Sequence, residues 1–282
     1  MKQDIVNIEQ SEYWNQKSGP KWVKLDDPMN ERFSILTDEL FSRANIKADD
    51  KVLDIGCGAG ETSFRASQLV GHSGHVTGAD ISETLLSFAK SKFSAISNLD
   101  FNLCDAQNHQ FEQGRFDKVI SRFGVMFFEN PVEAFKNICL SLKKNGSLNF
   151  VCWSHMTENE FFTEGADIIT KYTQKHLLPV TRDPGPFAFC DKEYVEEILS
   201  LSGFRNIKID TVNTFITTND SVDADAEILM NIGPRARMIS EADLSDEAMR
   251  TIRKEIEELC KMRQSGGEIA YKTCLHYVSA TK

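Results

Sequence analysis

Residues 51–64 read KVLDIGCGAGETSF, and their types and spacing point to a ligand. Val52-Leu53-Asp54-Ile55 is apolar and β-branched with one acid near its end, the pattern of a short buried strand. Gly56, Gly58 and Gly60 then alternate with Cys57 and Ala59, and a helical pattern starts at Glu61. A strand, a glycine turn and a helix make a nucleotide-binding loop. Residues without Cβ permit a tight turn and let a ligand approach the backbone. The helix start offers unpaired N–H groups. About twenty residues further on, Asp80 closes a second strand-like run, HVTGAD, where a carboxylate can accept hydrogen bonds from ribose hydroxyls.

The glycine spacing narrows the ligand. A dinucleotide loop places glycines at its first, third and sixth positions. Here they stand at the first, third and fifth, and Glu61 takes the sixth. A carboxylate there would repel a pyrophosphate, which speaks against a nicotinamide-dependent oxidoreductase.

Asp54, Gly56, Cys57, Gly58, Ala59 and Gly60 resemble the first motif of class I S-adenosylmethionine-dependent methyltransferases, whose cofactor carries no phosphate. The resemblance covers roughly residues 10–155. It implies that Asp105, followed by the small Ala106, holds the adenine amino group, and that Ser121, Arg122 and Phe123 meet the methionine end of the cofactor. Trp22, Asp54, Thr62, Asp80 and Ile81 complete the expected cofactor contacts with Gly56, Cys57, Gly58 and Gly60. A closer likeness runs through residues 122–128 (RFGVMFF), 150–153 (FVCW), 185–187 (GPF) and 232–234 (IGP). It is similar to a bacterial branch of small-molecule methyltransferases related to the quinone-biosynthesis enzymes. Enzymes of the class that methylate nucleic-acid amino groups carry an Asn/Asp-Pro-Pro-aromatic turn after the fourth strand; this chain has Ser121-Arg122-Phe123-Gly124.

The acceptor side is less defined. Met126, Phe127, Trp153, Phe187 and Phe189 are apolar residues at strand ends and in loops that could line an acceptor pocket or belong to the core. His155, just past the fifth strand, stands where a base for an oxygen or nitrogen acceptor could sit; it would equally serve as an ordinary surface histidine. The histidines and cysteines show no metal-ligand spacing, so no metal is expected. A non-catalytic protein that binds S-adenosylmethionine would share these motifs and lack an acceptor cavity.

The elements that must position these residues follow a regular alternation. Strands are expected at His75–Ile81, Leu99–Asp105, Phe116–Phe123 and Ser147–Trp153, with helices between them. Ser82 caps one helix and Pro131 opens another, which Gly146 stops. The pattern predicts an α/β, Rossmann-like, seven-stranded and mostly parallel sheet with helices on both faces and a helical cap insertion. The expected divisions are a helical arm or lid over 1–50, the binding core over 51–153 and a cap insertion over 154–190. Core follows at 191–218, a helical cap at 219–268 and a final strand at 269–282. Within these, one helix is expected from about Met29 to Ala44 and another over Glu160–His176.

At 282 residues, 41% hydrophobic and 26% charged, the chain has ample material for a core. Its net charge of −10 argues against nucleic acid or an anionic membrane as partner. Seven scattered cysteines without a C-x-x-C pair suit a reducing cytoplasm, and the N-terminal residues lack the apolar run of a signal peptide. The partner expected is a small-molecule acceptor, and a homodimer is compatible with the sequence.

Overall fold

The computed structural model describes residues 5–282; residues 1–4, part of the expected arm, lie outside the described residues. Five parallel strands form the centre of one sheet: β1 (Lys51–Ile55), β2 (His75–Asp80), β3 (Leu99–Leu103), β4 (Phe116–Arg122) and β5 (Leu142–Trp153). β6 (Arg205–Thr218) and β7 (Ile269–Thr281) complete it in the order β3-β2-β1-β4-β5-β7-β6, with β7 antiparallel to both its neighbours. The order reverses between β1 and β4, so their C-terminal ends diverge and leave a crevice there.

Before β1 lie α1 (Ile8–Glu12), α2 (Gly19–Lys24), α3 (Asp26–Arg32) and α4 (Ser34–Ala44). α5 (Glu61–Val70), α6 (Glu83–Lys92) and α7 (Pro131–Ser141) join the parallel strands. After β5 come α8 (Glu160–Thr163), α9 (Ala166–Thr173) and α10 (Lys192–Leu201). Between β6 and β7 stand α11 (Val222–Asn231), α12 (Gly233–Ser240) and α13 (Asp246–Arg263). The expected strands and core helices are present, with ends displaced by a few residues. The caps explain the starts: the hydroxyl of Ser82 accepts from the Leu85 N–H, and Asp191 accepts from Glu193 and Tyr194.

Three local expectations differ. The helix expected from Met29 to Ala44 is broken at Phe33, whose ψ of 6° leaves the helical region. The helix expected over Glu160–His176 is split at Gly165, which has φ 77°. Gly146 does not stop α7; that helix ends at Ser141, and Asn145 takes the left-handed turn at φ 65° inside an irregular start to β5. One apolar core fills the space from β1 through β7 and the late helices, with Leu53, Phe135, Phe150 and Leu229 fully buried in it. A second, around Val52, Ala66, Val76 and Ile120, packs α4 and α5 against the early strands.

Candidate active site

A cavity of about 230 Å³ opens over the C-terminal ends of the parallel strands. Because β1, β2 and β4 run the same way, the residues that follow them meet at one edge. Gly56, Cys57, Gly58 and Thr62 from the loop after β1 line the cavity, as do Asp80 and Ile81 after β2 and Asp105 and Ala106 after β3. Arg122 and Phe123 after β4, and Met126, Phe127, Trp153 and Trp22, line it too.

The glycines do different jobs. A Cβ on Gly56 would stand 2.6 Å from the Cα of Gly124, and one on Gly60 would stand 2.7 Å from the ring of Phe101. Those two glycines serve the packing of the loop. A Cβ on Gly58 meets nothing within 4 Å, and that residue, at φ 55°, faces the cavity. Asp80 holds the loop in this shape: one carboxylate oxygen accepts from the Gly58 N–H at 2.8 Å, the other from the Ser82 N–H at 2.8 Å. The Ile81 N–H also bonds this carboxylate, which borders the cavity. Burial raises the pKa of Asp80, against the pull of these N–H groups.

Arg122 forms the polar wall beside it. Its guanidinium donates to the Thr37 hydroxyl at 2.9 Å and to the Asn30 side-chain oxygen at 2.6 Å. Asn30 in turn donates to Asp26, which Lys92 also holds. Burial lowers the Arg122 pKa to about 10, opposed by the charges of Asp54 and Glu61, so the group stays cationic at neutral pH.

Next to this polar end the cavity becomes aromatic. The ring of Phe123 lies flat on Trp153, with centroids 4.3 Å apart. Phe123 reaches that position with φ 63°, a conformation a bulky residue holds only when its surroundings enforce it. Phe33 packs on both rings, and Phe161 and Phe162 extend the wall. Ile232 and Gly233 reach in from the junction of α11 and α12.

Several expected site residues stand elsewhere. Asp54 is fully buried beneath the loop, where it accepts hydrogen bonds from Thr62 at 2.5 Å and Ser63 at 2.6 Å and so pins α5 to β1. Ser121 donates to the Ile55 carbonyl and accepts from the Gly124 N–H, tying β4 to β1. Gly60 caps α5. These three shape the loop from behind. Phe189 belongs to the core, among Phe135, Phe150 and Tyr194, and Phe187 stands behind Phe162. His155 is exposed and its Nδ1 lies 2.9 Å from the Thr157 hydroxyl; it caps a short turn away from the cavity. Its place two residues past a strand end carried no information about which way its ring points.

Trp22 was the one residue of the arm expected at the site, and the arm supplies more. Asn7, Gln10, Asn30 and Phe33 all line the cavity. Phe33 reads as one of a helical apolar face, and nothing in the local pattern separates a residue that faces a cavity from one that faces the core. Ile232 and Gly233 fall within one of the stretches of closer family likeness, which is the signal that could have found them.

Comparison with known proteins gives a consistent answer. A family model described as a methyltransferase domain matches residues 46–203, more than half of the chain. A demethylmenaquinone methyltransferase of Staphylococcus saprophyticus is 28% identical over 174 residues, 58% of this chain and 74% of that protein. Among solved structures, the YcgJ protein of Bacillus subtilis superposes with a TM-score of 0.55 at 18% identity, over 87% of this chain and 97% of that one. The phosphoethanolamine N-methyltransferase 2 of Haemonchus contortus, solved with S-adenosylhomocysteine, superposes with a TM-score of 0.52 at 20% identity. That match covers 88% of this chain and 52% of the worm protein's chain. At those identities the solved structures establish a shared fold. The family match, which spans the strand ends that build the cavity, shows with the curated relatives that the chain belongs to the methyltransferase-domain family, an S-adenosylmethionine-dependent enzyme class related to the quinone-biosynthesis methyltransferases.

Proposed function

We propose that this protein methylates a small, largely apolar acceptor carrying a flat ring, and that donor and acceptor share the one cavity. A single observation carries the reading: the glycine and carboxylate wall of Gly58 and Asp80 and the aromatic wall of Phe33, Trp153, Phe161 and Phe162 bound the same space. Bound S-adenosylmethionine supplies a methyl group on a sulfonium centre, which the acceptor takes by in-line displacement. Asp80 brings a carboxylate to the edge of the cavity as acceptor for the ribose hydroxyls, and Gly58 leaves room for the ligand beside its backbone. Arg122 has N–H donors left after Asn30 and Thr37 and suits the carboxylate of the donor's methionine end.

The aromatic wall orients an apolar ring and excludes water, which is most of what a displacement of this kind asks of a protein. The demethylmenaquinone methyltransferases among the relatives are named for an acceptor of that shape. With His155 turned away, the acceptor atom, whether oxygen, nitrogen or carbon, has to bring its own nucleophilicity or lose its proton to water or a donor-side carboxylate. We assign residues 1–50 as a lid and 154–190 and 219–268 as a cap over the acceptor. No helix among the described residues is long and apolar enough to cross a membrane. All seven cysteines are free thiols, which suits work in a reducing cytoplasm.

Calorimetry with S-adenosylhomocysteine tests the donor half. Wild type should bind it, and Asp80→Ala should lose about 1–3 kcal/mol, the scale of hydrogen bonds to a charged group. An unchanged affinity would refute the ribose assignment. Profiling a metabolite extract with methyl-labelled S-adenosylmethionine tests the acceptor half; label appearing in a nucleic acid instead would overturn it.

A further inference from the structure

Asp105 has no hydrogen-bonding capacity left for a ligand. Its Oδ2 accepts from the backbone N–H groups of Val6 at 3.0 Å and Asn7 at 2.8 Å. Its Oδ1 accepts from the Asn7 side-chain amide at 2.8 Å and the Gln107 N–H at 3.0 Å. A carboxylate offers about four lone-pair sites, and all four are taken. The Asn7 side-chain oxygen also accepts from the Glu129 N–H at 2.9 Å, so Asn7 clamps the arm to the loops after β3 and β4.

Gln10 presents the opposite case. It lines the same cavity, and its side-chain oxygen is buried without a hydrogen-bond donor. Asn7 is the N-cap of α1 and Gln10 stands three residues on, so both fall on one face of that turn. At this position a glutamine often reaches back to the N–H of the capping residue. Here that N–H already belongs to Asp105, which leaves the Gln10 oxygen with a desolvated lone pair next to the strand-end pocket. An unmet buried acceptor carries a penalty that a ligand donor would relieve.

We propose that Gln10, and not Asp105, reads the base of the donor: the exocyclic amino group of adenine donates to the Gln10 Oε1, while Asp105 holds the arm that carries Gln10. This rests on the donor reading given above. Adenine recognition and arm docking then become one event, because the reading residue arrives with the arm.

The test is calorimetry with two ligands, S-adenosylhomocysteine and S-inosylhomocysteine, in which a carbonyl replaces the exocyclic amino group. Wild type should prefer the adenosyl compound by about tenfold or more, the worth of one buried hydrogen bond. Gln10→Leu should lower adenosyl affinity by about tenfold, leave inosyl affinity near its wild-type value and so erase the preference. Gln10→Glu, which keeps an acceptor, should retain the preference. Asp105→Asn should weaken both ligands alike by loosening the arm. The proposal is overturned if Gln10→Leu keeps the wild-type preference, if it loses both ligands equally, or if Asp105→Asn alone abolishes discrimination. A wild type that binds neither ligand would instead overturn the donor reading itself. Matching thermal unfolding of the free variants separates these outcomes from misfolding.

Discussion

Asp54 and Asp80 both sit at strand ends and burial raises the pKa of both, yet they do different work. Asp80 lines the cavity, and the backbone N–H groups of Gly58, Ser82 and Ile81 hold it. Asp54 is sealed under the loop; burial lifts its carboxyl from 3.8 to about 6, while the hydroxyls of Ser63 and Thr62 and the charge of Arg122 pull the other way. A folded-state pKa above the unfolded one means the neutral acid is the form that folding favours. Its contribution to stability is full below about 3.8 and is lost as pH rises through about 6. The distance between those values is worth about 3 kcal/mol. Asp54→Asn, which never ionises, should therefore gain on wild type as pH rises from 4 to 7, by up to about 3 kcal/mol in urea unfolding. A gap between the two that narrows over that range would contradict the burial argument.

The loop after β1 shows how one element divides its duties among similar residues. Three glycines alternate with small side chains, and the sequence pattern treats them as equivalents. Their surroundings separate them. Gly56 abuts the backbone of Gly124, where β1 and β4 diverge, and neither backbone can give way. Gly58 opens onto the cavity. Gly56→Ala should destabilise the protein by about 2 kcal/mol or more, from overpacking added to a positive φ. Gly58→Ala should cost about 1–2 kcal/mol for its left-handed backbone alone, keep the fold, and weaken S-adenosylhomocysteine binding. Thermal unfolding and calorimetry on the pair decide it. Equal melting temperatures with equal affinities would remove the distinction.

Across the whole molecule the arm, the late helices and the last strand are joined by a buried ionic network. Arg32 in α3 contacts Asp225 in α11 at 2.5 Å and Asp220 at 3.0 Å, and the Tyr271 hydroxyl of β7 donates to Asp225. Arg32, Asp225 and Tyr271 are wholly buried. Arg32 and Asp225 are 193 residues apart in the chain, and their contact places α3 beside the helices whose Ile232 and Gly233 wall the cavity. Breaking such a pair strands a charge in the interior. Arg32→Met should cost about 3–5 kcal/mol, and Arg32→Met with Asp225→Leu should recover much of it. A double-mutant cycle in urea measures the coupling; strictly additive losses would show that the two residues act independently.

The alternation of strands and helices in a mostly parallel sheet was legible in the sequence because its signals are local and repeat at regular intervals. Short β-branched runs, glycine after the first strand, an acid after the second and proline at a helix start each act within a few residues, and parallel crossovers then force the strand ends to one edge. Of the arm's cavity residues only Trp22 was legible. Asn7 and Gln10 stand at the cavity because Asp105, nearly a hundred residues away, accepts from the backbone N–H groups of Val6 and Asn7. The same holds for Phe189, His155 and Trp153, which follow similar strand-end and loop positions: Phe189 packs on Phe135 and Phe150 in the core, His155 is exposed beside Thr157, and Trp153 stacks on Phe123 at the cavity. Spacing along a chain fixes where a residue emerges; the direction in which its side chain finds neighbours is set by segments it cannot see.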